Sequence, residues 1–216
     1  YVRVETHVRH LIEGQIYGQY PDAEIFEVKD YVEPEKIMAG SGGFSCADIM
    51  LERSDIYPIK DHNKFSGDSL AGVFSVLTKA SEDEQVWVQV VSKPMADDWQ
   101  LNVGRRIKMR VLGFRNIFRL RDYFKLKGKT LHRATEKEEF HKKSDKNSYR
   151  VNIRVGYVAK TQGEADMKIE SVKRSFQQFN TTDFNSFKNI KAGRNSFLRK
   201  YKMGTLEGGF LLTTEE

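Results

Sequence analysis

The apolar residues of this chain repeat with two periods in alternation, and no other feature limits the fold as much. A period of two marks a strand with one buried face, and a period near 3.6 marks a helix with one buried stripe. Tyr1 to Glu5 alternates as a strand already in progress. Val8, Leu11, Ile12, Gln15, Ile16 and Tyr20 then fall near one helical face, with Thr6 placed to cap it and Pro21 to close it. Ala23 to Tyr31 alternates again through Ile25, Phe26 and Val28, and the glycine-rich stretch from Glu33 to Gly43 reads as a loop. Ala47 to Ile59 predicts another strand, Asp68 caps a helix with Leu70, Val73, Phe74 and Leu77, and Gln85 to Val91 is the most strand-like run of all.

Through residue 94 the predicted order is therefore strand, helix, strand, strand, helix, strand. That order defines an α+β, ferredoxin-like (split βαβ) antiparallel sheet with both helices on one face. Its expected core is Leu11, Ile16, Ile25, Val28, Leu51, Leu70, Phe74, Leu77, Val86, Val88 and Val90. Residues 149–159 alternate through Val151, Ile153, Val155 and Tyr157, and a helix with Ala165, Ile169, Val172, Phe176 and Phe179 on one face follows. Short strands around Phe184 to Ile190 and Gly209 to Leu212 complete a second, smaller α+β unit. The expected organisation is an acidic ferredoxin-like unit over 1–98, a basic helix with a charged loop or hairpin over 99–148, and the second βαβ-type unit over 149–216.

Charge separates these regions more sharply than the overall balance of +6 suggests. Residues 1–104 carry 9 basic and 18 acidic side chains, residues 105–133 carry 11 and 1, and residues 134–216 carry 16 and 11. A polyanion meeting this chain is attracted by one half and repelled by the other. Hydrophobic residues at 39% and charged residues at 31% describe a soluble globular chain, and no apolar run approaches the roughly 18 residues of a helical span. The lone cysteine, Cys46, forms no internal disulfide and no thiolate metal cluster, and it fits a reducing compartment. The chain begins inside an alternating run and ends on Thr213-Thr214-Glu215-Glu216, a hydroxyl cap followed by acids, which reads as a helix start. Both ends suit a piece of a longer protein.

No assembled catalytic set emerges. Gly128-Lys129-Thr130 looks like the end of a phosphate-binding loop, but the glycine required five positions before Gly128 is Tyr123, so the amide cradle for a triphosphate is absent. The chain is therefore read as a non-enzyme that neither binds nor turns over ATP. His7 and His10 share a helical face with only Glu13 to continue it, too few ligands for a metal site. Cys46 lies by a predicted strand and reads as a buried thiol. The strand Asp48-Ile49-Met50-Leu51-Glu52-Arg53 carries no stacking aromatics, unlike the base-stacking strand of an RNA recognition module. The remaining signal is a run of cations, Arg105, Arg106, Lys108, Arg110, Arg115, Arg119, Arg121, Lys125, Lys127 and Lys129, interleaved with Phe114, Phe118, Tyr123 and Phe124. Such a run pairs with phosphates and stacks on bases, docks on an anionic bilayer as an amphipathic helix, or neutralises the acidic first half within or between subunits.

Several stretches resemble a known family. Gln15 to Tyr31 (QIYGQYPDAEIFEVKDY), Tyr57-Pro58-Ile59-Lys60, the segment from Asp68 to Pro94 with Trp99 after it, Phe176 to Thr181 (FQQFNT) and Phe210 to Glu216 (FLLTTEE) look like the amino-terminal domain of type IV secretion and conjugation-like ATPases (HerA/FtsK superfamily) of small-genome bacteria. The likeness covers residues 1–100 and 149–216. It implies a non-catalytic α+β domain preceding a hexameric motor that translocates DNA or protein, with ATP and magnesium bound only by the motor, after Glu216. The partners it implies are secretion-machinery subunits or further copies of the chain, with DNA or an anionic membrane surface at the basic run. The place it implies is the cytoplasm, at the inner face of the membrane. The competing reading is a stand-alone basic nucleic-acid-binding module.

Overall fold

A computed structural model describes residues 1–29, 42–95, 138, 142–143 and 146–216, arranged in two compact units, Tyr1–Ala39 and Gly40–Glu216. In the first unit a 3-10 turn over Thr6–Val8 leads into helix α1, Arg9–Gln19, none of whose residues is buried. Arg9 ties the unit together by donating to Glu13 (2.7 Å) and to Glu27 (3.0 Å). Residues 1–5 and 23–29 are not strands. The alternation there is real, but a strand exists only when a neighbour takes its hydrogen bonds, and no ladder reaches these residues.

The second unit runs β1 (Gly43–Leu51), α2 (Ala71–Leu77), β2 (Gln85–Pro94), β3 (Ser148–Ala159), α3 (Gln162–Ser175), β4 (Phe187–Lys191), α4 (Arg194–Met203) and β5 (Phe210–Thr213). All its strand pairs are antiparallel, in the order β2-β3-β1-β4, with β5 pairing the beginning of β3. The first six elements give the β-α-β-β-α-β order and strand arrangement of a ferredoxin-like sheet. The fold class thus agrees with the sequence reading, but the strands that build it do not. The set expected within residues 1–94 is completed by β3 and β4 from the carboxy-terminal stretch, so strands of both expected units share one sheet. The register shows why: Ala47 and Ile49 of β1 face Val155 and Ile153, while Val88 and Val90 of β2 face the same two residues from the other side. β3 is central, which is why seven successive residues from Val151 to Tyr157 are buried.

One face of the sheet holds the main core. Ala47, Ile49, Val151, Ile153 and Val155 pack against Val73 of α2, Ala165, Ile169 and Val172 of α3, and Phe176 and Phe179 just after it. Fully burying an aliphatic or phenyl side chain contributes about 1.5–3 kcal/mol, so this cluster dominates the stability of the unit. α3 starts at a capping box: the Thr161 hydroxyl accepts from Glu164 N, and the Glu164 carboxylate accepts from Thr161 N. Of the expected core, Leu51 is buried, and Leu77, Val86 and Val88 pack partly buried against it. Ile16 and Ile25 are half-buried, whereas Leu11, Val28, Leu70, Phe74 and Val90 are exposed. In α2 the stripe is rotated, so that Val73 faces the sheet and Phe74, one residue on, is 52% exposed.

The opposite face is covered by α4, contrary to the expectation of helices on one side only. Phe197 and Tyr201 of α4 stack at 5.6 Å and meet Phe44 of β1 and Trp87 of β2 at 5.8 and 5.1 Å. Gly156 in β3 permits this approach, since a Cβ there would lie 3.2 Å from Phe44 and 3.3 Å from Phe197. α4 ends at Gly204, whose left-handed φ of 61° turns the chain back across the sheet.

Candidate functional site

All ten cations of the basic run, Arg105 to Lys129, and the Gly128-Lys129-Thr130 sequence lie outside the described residues. The downstream end of the same connection is described, and it carries a second group of lysines. Lys142, Lys143 and Lys146 line a cleft of about 130 Å³ together with Lys64, Asp61 and Glu215, over a floor that includes Pro58 and Ile59. The cleft lies where the β1–α2 connection meets the end of β5.

Lys143, in the lining of the cleft, takes part in a buried ion pair. The side chains of Lys143 and Glu216 are each 4% exposed, with Nζ 2.9 Å from Oε2. Glu216 accepts from the backbone of Ile59 (2.9 Å) and Thr213 (2.9 Å) and from the Thr213 hydroxyl (3.1 Å), while Lys143 also donates to the Leu211 carbonyl (3.3 Å). Both charges are therefore multiply hydrogen-bonded, the condition under which a buried pair is tolerated. Lys146 pairs with Glu215, Lys142 pairs with Glu138 at 3.1 Å, and the Glu215 carbonyl accepts from His62 N at 2.9 Å. Glu216 N closes a turn onto the Thr213 carbonyl (3.2 Å), so the residues read as a helix start are instead the end of β5 and the turn after it, with the Thr213 hydroxyl donating to the Glu216 carboxylate. The arrangement binds the connection to β5 and to the β1–α2 loop, and it presents a rim of lysines matched by carboxylates.

Two other polar groups are held inside the fold. Glu84 takes a short ion-paired hydrogen bond from Lys168, and its Oε2 accepts from Ser81 N and from the Tyr157 hydroxyl, both at 3.0 Å. Lys168, the Ser81 amide and Tyr157 hold the Glu84 carboxyl down at about 2, while burial, then the hydrogen bond to Glu84, pushes the Tyr157 phenol up to about 12. The carboxylate, the phenol and the Lys168 ammonium thereby tie the turn before β2 to β3 and α3. On the other face Arg154, 2% exposed, donates to Gln89 (2.9 Å) and to the Thr205 carbonyl and lies 3.8 Å from Asp48. Burial pushes its pKa below the usual guanidinium value.

The remaining sequence candidates stay apart. His7 lies 3.3 Å from Glu5 and His10 3.8 Å from Glu13, all on the surface of the first unit, and no group of three or more metal-ligating side chains converges among the described residues. Cys46 is buried beside the Ala192 carbonyl (3.6 Å), and desolvation pushes its thiol up to about 11. Among the described residues no helix is long and apolar enough to cross a membrane.

Sequence reasoning missed Arg154, Glu84 and the Lys143–Glu216 pair. A polar residue on the outward beat of an alternating strand, as Arg154 is, ordinarily faces solvent, and only a second helical layer buries it. Lys143 and Glu216 stand far apart in sequence and carry no local pattern. Only the last turn left a local trace, a hydroxyl followed three residues later by an acid.

The fold and this ion-paired junction define an α+β sheet domain with a lysine-lined cleft at one end. The chain belongs to the family described as "Domain of unknown function (DUF8128)", whose model matches residues 1–200. No curated protein and no solved structure matches it.

Proposed function

We propose that this chain is a non-catalytic assembly and interaction domain preceding the motor of a type IV secretion-like ATPase that translocates DNA or protein. The reading starts from the resemblance of residues 1–100 and 149–216 to that family's amino-terminal domain. One structural observation carries it further: Lys143 and Lys146, at the end of the connection that bears the basic run, are held by Glu216 and Glu215. The basic connection is thereby fastened to the position from which, on the resemblance, the path to the motor departs. ATP and magnesium belong in this reading to the motor, and the partners are secretion-machinery subunits or further copies of the chain at the inner face of the membrane. The second reading, a stand-alone nucleic-acid-binding module, is favoured by the 11 basic and 1 acidic side chains of residues 105–133.

The native gene beyond Glu216 separates the two. A phosphate-binding loop encoded downstream, with ATP turnover by the full-length protein that this chain alone lacks, supports the assembly domain. A gene that stops soon after Glu216, with salt-sensitive oligonucleotide binding by the chain, supports the module and ends the first reading.

A further inference from the structure

Among the described residues β2, β4 and β5 each pair on one side only, and they are finished differently; β5 has four residues. β4 is five residues long and carries Lys188 and Lys191, the kind of charged side chain that discourages a further strand at an edge. β2 is ten residues long, pairs with β3 along its whole length, and has no strand on its other side among the described residues. From Gln85 to Ser92 it carries no charge, and Val90, on the same face as Val86 and Val88, is 60% exposed. A long edge, uncharged over eight residues and with an exposed valine, is a template for another strand.

The ends of β2 indicate which strand. The acidic turn Glu82-Asp83-Glu84 stands immediately before it, with Glu84 held by Lys168 and Asp83 in an exposed pair with Lys160 at 3.0 Å, and Lys93 stands near its end. An antiparallel neighbour brings the start of one strand against the end of the other, so β2 is complementary in charge to itself. We infer that β2 pairs antiparallel with β2 of a second copy of this chain, in a twofold contact that joins two sheets into one. In the register centred on Val88, Lys93 stands opposite the partner's Asp83, Val90 opposite the partner's Val86, and the two Val88 side chains face each other. The row of valines continues across the junction on the face that carries α3, and at each end Lys93 is brought against the acidic turn that precedes the partner's β2. The contact goes beyond the proposed function and holds whether or not a motor follows.

Sedimentation equilibrium on the purified chain, from micromolar to near-millimolar concentration at low salt, tests this together with hydrogen exchange at each concentration. The expected result is a reversible monomer–dimer equilibrium in which amide protection of residues 86–92 rises with concentration. Lys93→Glu, at an exposed position, weakens the dimer about tenfold, because two like-charge contacts replace two favourable ones. Adding Asp83→Lys restores it, and Val90→Lys weakens it without unfolding the chain, as circular dichroism checks. A chain that stays monomeric throughout, a dimer indifferent to Lys93→Glu, a rescue that fails, or protection that rises elsewhere but not in β2 overturns the inference.

Discussion

Glu84 and Tyr157 share one hydrogen bond and shift in opposite senses, so the two ends of the pH scale report on the same contact. The Glu84 carboxyl is more acidic folded than unfolded: its stabilisation is complete above 4.5 and is lost as pH falls from there towards about 2. The Tyr157 phenol is less acidic folded, so its contribution is complete below 10 and is lost as pH rises from there towards about 12. Urea unfolding across both windows is expected to show stability falling at each end. Glu84→Gln should flatten the acid limb, and Tyr157→Phe the alkaline one. Lys143 makes a different kind of prediction. Lys143→Met leaves the Glu216 carboxylate buried without its cation and is expected to cost about 3–5 kcal/mol. The double variant with Glu216→Gln should recover much of that loss, measured by the same denaturation.

The capping box of α3 is the clearest local device in the fold. Thr161→Ala removes the acceptor for Glu164 N and is expected to cost about 1 kcal/mol, read as a lower melting temperature. α2 is the counter-example. Its apolar positions were legible, but a short helix with apolar residues at adjacent positions leaves open which of them faces inward. Val73 is 5% exposed and Phe74 52%, so Phe74→Ala should cost well below the about 3–5 kcal/mol of a fully buried phenylalanine. Among the strands, β3, β4 and β5 fall where the alternation placed them, and β1 is displaced towards its amino end, running over Gly43–Leu51. Ile56 and Ile59, read as part of that strand, are buried instead in the connection that follows it.

For the molecule as a whole, electrostatics sets the leading experiment. Eleven basic side chains against one acidic in residues 105–133 repel one another unless a partner offsets them. If that partner is a single-stranded nucleic acid, the logarithm of affinity should fall with the logarithm of salt by about 0.7 for each phosphate neutralised. Fluorescence anisotropy over a salt series measures the slope. Reversing Arg105, Arg106, Arg115 and Arg119 to Glu should abolish binding while leaving the melting temperature nearly unchanged. Variants that unfold the protein but keep the binding would make the run an internal counter-charge to the acidic half.

The sequence by itself determined the class of fold and most elements of the sheet unit, though not α4 and not the bounds of β1, because side-chain period is local and each strand or helix carries its own record of it. Residues 162–175 announce α3 through Ala165, Ile169 and Val172, all within about four turns of helix. Only the tertiary structure decided which strands pair, that residues 1–5 and 23–29 stay out of the sheet, and that α4 covers the second face. Pairing is a choice among partners far apart in the chain, and alternation says which face of a strand is apolar without saying whose edge it joins. The same holds for the junction at Lys143 and Glu216, 73 residues apart, and for Arg154 and Thr205, 51 apart. A charge is recognisable in the sequence, but its burial depends on the layers that close over it, and those assemble only once the sheet has formed.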